Sequence, residues 1–301
     1  AKYRIVVYQK QGGQQLIDVL VHYLQALTYD EIVLIANEDG DILEDTPMYK
    51  EFMLKGIHLW QCIGTRNDKG DLWTQVIEQY KEASDFIQPT DVDEYLALVS
   101  PTDDTSLVWD RPSLHSALDE LPVSNSKPYK TLDSKPTPLD CIKSPGNNGF
   151  QHLKHQARHC NIAGFSEPKF GCYNKNFYRS EHFKEVDIGN HFGVLESLKK
   201  CEKEGMEAAF EPTKFVLLHY QTLDFQDWLV HALRMATDAE FNKLVLDECP
   251  EGHDKPWHSC YMFRQFLDVK FDLYKMRELY QNKMCWMEPH IKADGIRSMS
   301  C

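Results

Sequence analysis

Along the first hundred residues, short apolar runs alternate with apolar positions at helical spacing. Tyr3-Arg4-Ile5-Val6-Val7-Tyr8 is rich in β-branched and apolar residues and predicts a strand, which Gly12-Gly13 break. Leu16, Val19, Leu20, Tyr23, Leu24 and Leu27 then recur at the period of a helix. The run Glu31 to Ala36 predicts a second strand ending at the polar cluster Asn37-Glu38-Asp39-Gly40-Asp41. Tyr49 to Lys55 fits a helix, Ile57 to Ile63 a strand, Asp71 to Glu82 another helix, and Phe86-Ile87 a fourth strand entering Asp91-Val92-Asp93-Glu94-Tyr95. Such alternation implies an α/β fold with a mostly parallel sheet flanked by helices, whose ligands bind beyond the carboxyl ends of the strands.

Pattern and composition change after residue 121. Pro122, Pro128, Pro136, Pro138 and Pro145 are spaced too closely for a helix or a central strand, so 122–149 reads as a long loop. Strand candidates return at Lys169 to Tyr173 and Lys214 to Tyr220, followed by a helix from Phe225 to about Thr237. Phe263, Leu267, Phe271 and Tyr274 mark a helical stripe, so residues 238–301 are expected to form a C-terminal helical extension on a catalytic domain spanning 1–237.

Composition narrows the class further. Of the 301 residues 42% are hydrophobic and 26% charged, as in ordinary globular proteins. The net charge of −13 disfavours nucleic acid as a partner, because a phosphate backbone calls for a basic surface. No apolar run reaches the roughly 20 residues of a membrane span. The N-terminus lacks signal-peptide features, and the nine cysteines include no CxxC pair, so the expectation is a cytoplasmic protein with reduced thiols.

Candidate chemistry centres on Asp91 and Asp93. Flanking one small apolar residue at a strand end, their carboxylates are directed to the same side. Mn²⁺ (or Mg²⁺) held by one or two carboxylates keeps open positions for the phosphates of a nucleotide diphosphate and neutralises that leaving group. A bare DxD is common in surface turns; this one ends the fourth strand of an α/β series. Three histidines at 152, 155 and 159 beside Cys160 could share a helix face, yet no second cluster matches them, and a polar helix face accounts for them better than zinc. His253 and His258 read as surface or packing residues.

Tyr8-Gln9-Lys10, the helix around Asp18 to Tyr23, the strand ending at Asn37, the stretch Tyr80 to Ile87 and Asp91-Val92-Asp93-Glu94-Tyr95 occur in an order and spacing that resemble GT-A glycosyltransferases with a DVDEF-type signature, of the family 2 and family 92 kind, as in bacterial or virus-encoded members. Lys169 through Gly189-Asn190-His191-Phe192, then Leu218-His219-Tyr220 with Phe225 and Trp228, is similar to the later block of that family. The resemblance covers roughly residues 3 to 235. Two departures stand out: Gln11-Gly12-Gly13-Gln14 replaces the usual Asn-Glu, and Asp18-Val19 replaces the usual Glu-Trp.

The resemblance implies a nucleotide diphosphate sugar donor, a UDP-sugar foremost, a saccharide or glycan acceptor, and transfer of one sugar with inversion. It implies that Asp91 and Asp93 hold metal and nucleotide and that a late histidine completes the metal shell, with His219 the first candidate and His191 its rival. Tyr8, Lys10, Asn37, Arg66 and Asp68 are the further candidates for the nucleotide-sugar pocket. An inverting enzyme needs a carboxylate base, and Asp187, Glu185 and Glu181 precede His191, with Asp187 the foremost. Two other functions fit the same elements: a sugar nucleotidyltransferase, whose paired aspartates activate a triphosphate, and a non-enzymatic metal- or nucleotide-binding module.

Overall fold

The computed structural model describes residues 1–9, 13–37, 47–62, 68–101, 107–122, 127–134, 171–220, 225–226, 228–230, 233, 265–284 and 299–300. Its N-terminal half is the expected alternating series. Strand β1 (Tyr3–Gln9) is followed by helix α1 (Gly13–Tyr23), β2 (Ile32–Asn37), α2 (Pro47–Leu54), β3 (His58–Cys62), α3 (Lys69–Tyr80) and β4 (Phe86–Asp91). These four strands lie in the order β3-β2-β1-β4, every neighbour parallel. β1 is buried along its whole length, as a central parallel strand covered on both faces must be.

Side-chain parity splits the core in two. Ile5 and Val7 join Leu16, Val19 and Leu20 of α1 on one face; Val6 and Tyr8 join Trp73, Val76 and Ile77 of α3 on the other. The helices therefore flank the sheet, and the α/β class follows from the pattern that predicted it. Helix α4 (Arg111–Asp119) joins the first face through Leu114 and Leu118; its N-cap Asp110 accepts a hydrogen bond from the Ser113 amide at 2.8 Å.

The rest of the sheet is mixed. β5 (Glu94–Val99), β6 (Leu107–Val108), β7 (Tyr129–Ser134), β8 (Asn176–Arg179), β9 (Glu211–His219) and β10 (Met299–Ser300) extend it beyond β4 in the order β8-β7-β9-β5-β6-β10. β8 runs antiparallel to β4 and β7, and β9 antiparallel to β5 but parallel to β7. Two residues separate β4 from β5, although three strands lie between them in the sheet, so the sheet curls back and brings the ends of β4 and β9 together. The Tyr220 amide, just past β9, donates to the Asp93 carbonyl at 2.7 Å.

Three expectations are corrected. The supposed loop 122–149 contains β7; Pro128 stands just before the strand, and buried Lys130 interrupts its apolar pattern. The Lys130 ammonium donates to Asn176 Oδ1 at 3.0 Å and to the His191 carbonyl, and lies 3.9 Å from the centroid of the Phe210 ring. The strand expected at Lys169 to Tyr173 begins instead at Asn176, after a turn over 172–174. The C-terminal stripe is not one helix: Lys270 and Phe271 take positive φ, a break lies before α7 (Leu273–Met284; α5, Leu195–Glu204, and α6, Met206–Ala209, precede it), and the chain restarts with a shifted buried face. Leu267 and Tyr274 are exposed, whereas Phe266, Met276 and Tyr280 are buried. Phe266 and Tyr280 flank the Trp228 ring, with centroids 4.7 and 5.5 Å away.

The thiols are not all free. Cys172 and Cys201 form a disulfide, which overturns the expectation of uniformly reduced cysteines. The pairing is spatial, joining the turn before β8 to α5, and no short spacing announces it. Histidines 152, 155, 159, 253 and 258 lie outside the described residues. Among the described residues no helix is long and apolar enough to cross a membrane.

Candidate functional site

The carboxyl ends of β1, β2 and β4 meet at one edge. Tyr8 is in register with Asp91 and with Ile35, and Asn37 donates its amide to the Tyr8 hydroxyl at 2.7 Å. Of the nucleotide-pocket candidates, Tyr8, Asn37 and Asp91 thus come together; Lys10 and Arg66 lie outside the described residues. At this edge the chain turns through Val92 and Asp93 into β5, where Glu94 is in register with His219 of β9. The turn therefore sets Asp91, Asp93, Glu94 and His219 at one place.

Each carboxylate has a different environment. Asp93 Oδ2 lies 3.3 Å from His219 Nε2, and both side chains keep about a third of their surface open, at 30% and 27%. Burial raises the Asp93 pKa, but the adjacent imidazole outweighs it and holds the carboxyl below its usual range; burial lowers that of His219, and Asp93 reverses the sign so that it ends raised. Asp91 is gripped by Lys69, whose ammonium lies 2.5 Å from Oδ1 and 2.6 Å from Oδ2. Burial raises the pKa of Asp91 more than Lys69 lowers it, and Glu94 adds repulsion.

Glu94 is the most enclosed of the three, at 1% exposure. Its Oε1 pairs with Lys175 Nζ at 2.7 Å, and its Oε2 accepts from the Thr90 hydroxyl at 3.1 Å and the Asp91 amide at 3.0 Å. Burial opposes its ionisation, yet Lys175 and His219 bring its pKa down to about 2. Lys175 is also buried; it donates to the Gly189 carbonyl at 2.6 Å and stands 4.0 Å from Asp91. Its pKa is raised because Glu94 and Asp91 overcome the effect of burial.

One oxygen each of Asp93 and Glu94 and one nitrogen of His219 lie within 4.8 Å of one another, the metal-fitting group among the described residues. Carboxylate oxygens suit Mg²⁺ and Mn²⁺, and an imidazole nitrogen also admits Zn²⁺ or Fe²⁺, so the donor set fits a divalent metal without choosing among them. The sequence-based set of Asp91, Asp93, His219 and His191 shares two members with it. Glu94 and Lys175 were missed as site residues: Glu94 was in view as the residue after the DxD, whereas Lys175 reaches the site only through the tertiary fold.

His191 and Asp187 belong to one loop, 187–193, beside Lys175. The Asp187 carboxylate accepts backbone N–H groups from Gly189, His191, Phe192 and Gly193 at 2.8 to 3.1 Å. Burial raises its pKa, but these donors win and depress it. A carboxylate that accepts four backbone amides clamps the loop 187–193. Asn190, at φ 52°, ties the same loop to β4 and β8 by donating to the Pro89 and Asn176 carbonyls at 2.9 and 2.8 Å. The His191 ring lies over Gly189, where any side chain would collide with it. Burial and Lys175 bring the His191 pKa down to about 4, so its imidazole is neutral. Glu181 meets His182, and Glu185 lines a cleft of about 260 Å³ with Lys184 and Lys200.

No protein-family model matches the chain, and no curated protein matches it. Among solved structures the chain is similar to residues 1–349 of S. aureus TarS in complex with UDP-GlcNAc, at 11% identity and a TM-score of 0.38, over 94% of this chain and 79% of that one. It is similar to the mannosyltransferase PcManGT from Pyrobaculum calidifontis in complex with GDP-Man and Mn²⁺, at 12% identity and a TM-score of 0.37, over 93% of this chain and 74% of that one. A cytidylyltransferase from Leptospira borgpetersenii matches at 10% identity and a TM-score of 0.34, over 93% of this chain and 97% of that one. Likeness at this level fixes neither a family nor a reaction.

Proposed function

We propose that the chain is a metal-dependent glycosyltransferase of the GT-A kind, moving one sugar from a nucleotide diphosphate sugar, a UDP-sugar foremost, to a saccharide acceptor with inversion. The observation that carries the reading is the turn Asp91-Val92-Asp93-Glu94 at the carboxyl edge of the parallel strands, with His219 delivered 3.3 Å from Asp93 by the neighbouring strand end. A surface DxD has no reason to meet an imidazole from a strand more than a hundred residues later. The arrangement also sits where open α/β sheets bind ligands.

Asp93 and His219 hold Mn²⁺ (or Mg²⁺) in this reading, with Asp91 or Glu94 as a further oxygen donor. The ion's chemistry is charge neutralisation on the diphosphate as the sugar departs. Tyr8 and Asn37, fixed to each other, form one wall of the nucleotide pocket, with Lys10 and Arg66 as its basic contacts. Asp187 holds the loop that backs Lys175, and the base that deprotonates the acceptor is left unassigned. Residues 238–301 serve as an extension to the 1–237 catalytic unit. A cytoplasmic place of action has one observation against it, the Cys172–Cys201 disulfide, since such bonds persist in oxidising compartments.

The test is a screen of UDP-, GDP- and CMP-sugars with Mn²⁺ for transfer or hydrolysis by the folded chain. Release of nucleoside diphosphate from one of them supports the reading. Pyrophosphate release from a nucleoside triphosphate instead establishes a nucleotidyltransferase, and the absence of any turnover leaves a binding module.

A further inference from the structure

We propose that Lys69 is a tethered cation that occupies Asp91 until a metal and a diphosphate arrive together, and that it then exchanges the carboxylate for the diphosphate. The inference rests on the nucleotide diphosphate donor proposed above. Its starting point is that Lys69 spans both oxygens of Asp91, at 2.5 and 2.6 Å. An ion seated by Asp93, Glu94 and His219 that also draws on Asp91 must take one of those oxygens from Lys69.

Glu94, the carboxylate grouped with Asp93 and His219, keeps its own buried cation. Both of its oxygens are committed, to Lys175, Thr90 and the Asp91 amide, and the Glu94–Lys175 pair is 1% and 5% exposed. Lys175 is further held by the Gly189 carbonyl, which leaves Lys69 the cation that can move. Lys69 is more open, at 14%, and belongs to the first turn of α3. A cation there opposes the helix dipole, which favours an anion at that end. The Lys69 ammonium also has a ledge to move along: it lies 4.5 Å from the centroid of Trp73 and 5.3 Å from that of Tyr8, and aromatic faces stabilise an ammonium that has left its carboxylate.

The charges make the exchange cooperative. Three carboxylates, Asp91, Asp93 and Glu94, face two ammonium groups, Lys69 and Lys175, so the cluster is largely self-neutralised before any ligand binds. A metal ion alone must displace Lys69 with no anion to receive it. A metal ion with a diphosphate gives the ammonium a new partner, and each ligand therefore strengthens the other's binding.

Binding of Mn²⁺ followed by electron paramagnetic resonance, with and without UDP or GDP, tests the exchange. Lys69→Met is expected to bind Mn²⁺ alone about tenfold more tightly than the unaltered chain, and the nucleoside diphosphate with Mn²⁺ about tenfold more weakly. Lys69→Gln keeps a hydrogen-bond donor for Asp91 without the charge and gives the same two shifts should the apolar variant not fold. Unchanged affinities in these variants, with the unaltered chain binding both ligands, overturn the role of Lys69 alone. Failure of the unaltered chain to bind either nucleoside diphosphate overturns the donor reading beneath it.

Discussion

Replacing Lys175 with methionine leaves the Glu94 carboxylate buried without its cation. The Glu94 pKa stands at about 2 against an ordinary 4.5, a difference that corresponds to about 3 kcal/mol of stability at neutral pH. Breaking a buried pair from one side costs a similar amount, about 3 to 5 kcal/mol, because the orphaned charge stays enclosed. The sign with pH follows from the depressed pKa: the Glu94 contribution is complete above 4.5 and is lost as pH falls through 2. In Lys175→Met the carboxyl takes up a proton at higher pH, so the gap between variant and unaltered chain narrows on acidification. Urea unfolding followed by tryptophan fluorescence, at neutral pH and again below 4.5, reads both features. Adding Glu94→Gln to Lys175→Met should recover part of the loss. A destabilisation under about 1 kcal/mol at neutral pH, or a gap independent of pH, would refute the buried-pair account.

Two further substitutions probe the surroundings of the site. Cys201→Ser opens the loop of 29 residues closed by the disulfide and should cost about 3.5 kcal/mol of unfolding free energy in the chain-entropy treatment; an identical melting temperature with and without reductant would contradict the pairing. Asp187→Asn removes the charge that gathers four amides and should cost about 2 kcal/mol while speeding amide exchange at 189–193. Lost turnover with unchanged stability and exchange would instead restore Asp187 as the catalytic base.

The parallel half of the fold was legible because its strands are continuous apolar runs and its helices carry clear periodicity. Those signals are local, and β1 to β4 with their helices follow them within a few residues. β7 escaped because Lys130, a charged residue, is buried near its start, satisfied by Asn176 and the His191 carbonyl from remote segments. The C-terminal stripe misled because two residues with positive φ reset the helical phase. At the site, the acidic turn announced itself through its place in the strand series. Its partners did not: Lys175 stands between a turn and β8 with no marked pattern, and Lys69 opens a helix whose sequence shows only periodicity. What Asp91 and Glu94 do depends on those two lysines, and what Asp93 does depends on His219.

Calorimetric titration of UDP, GDP and CMP into the chain, with and without Mn²⁺ and repeated on Asp93→Ala, bears most directly on the central claim. The account predicts that one nucleotide diphosphate binds tightly only when both Mn²⁺ and Asp93 are present. Binding that needs neither, or no binding at all, would contradict it.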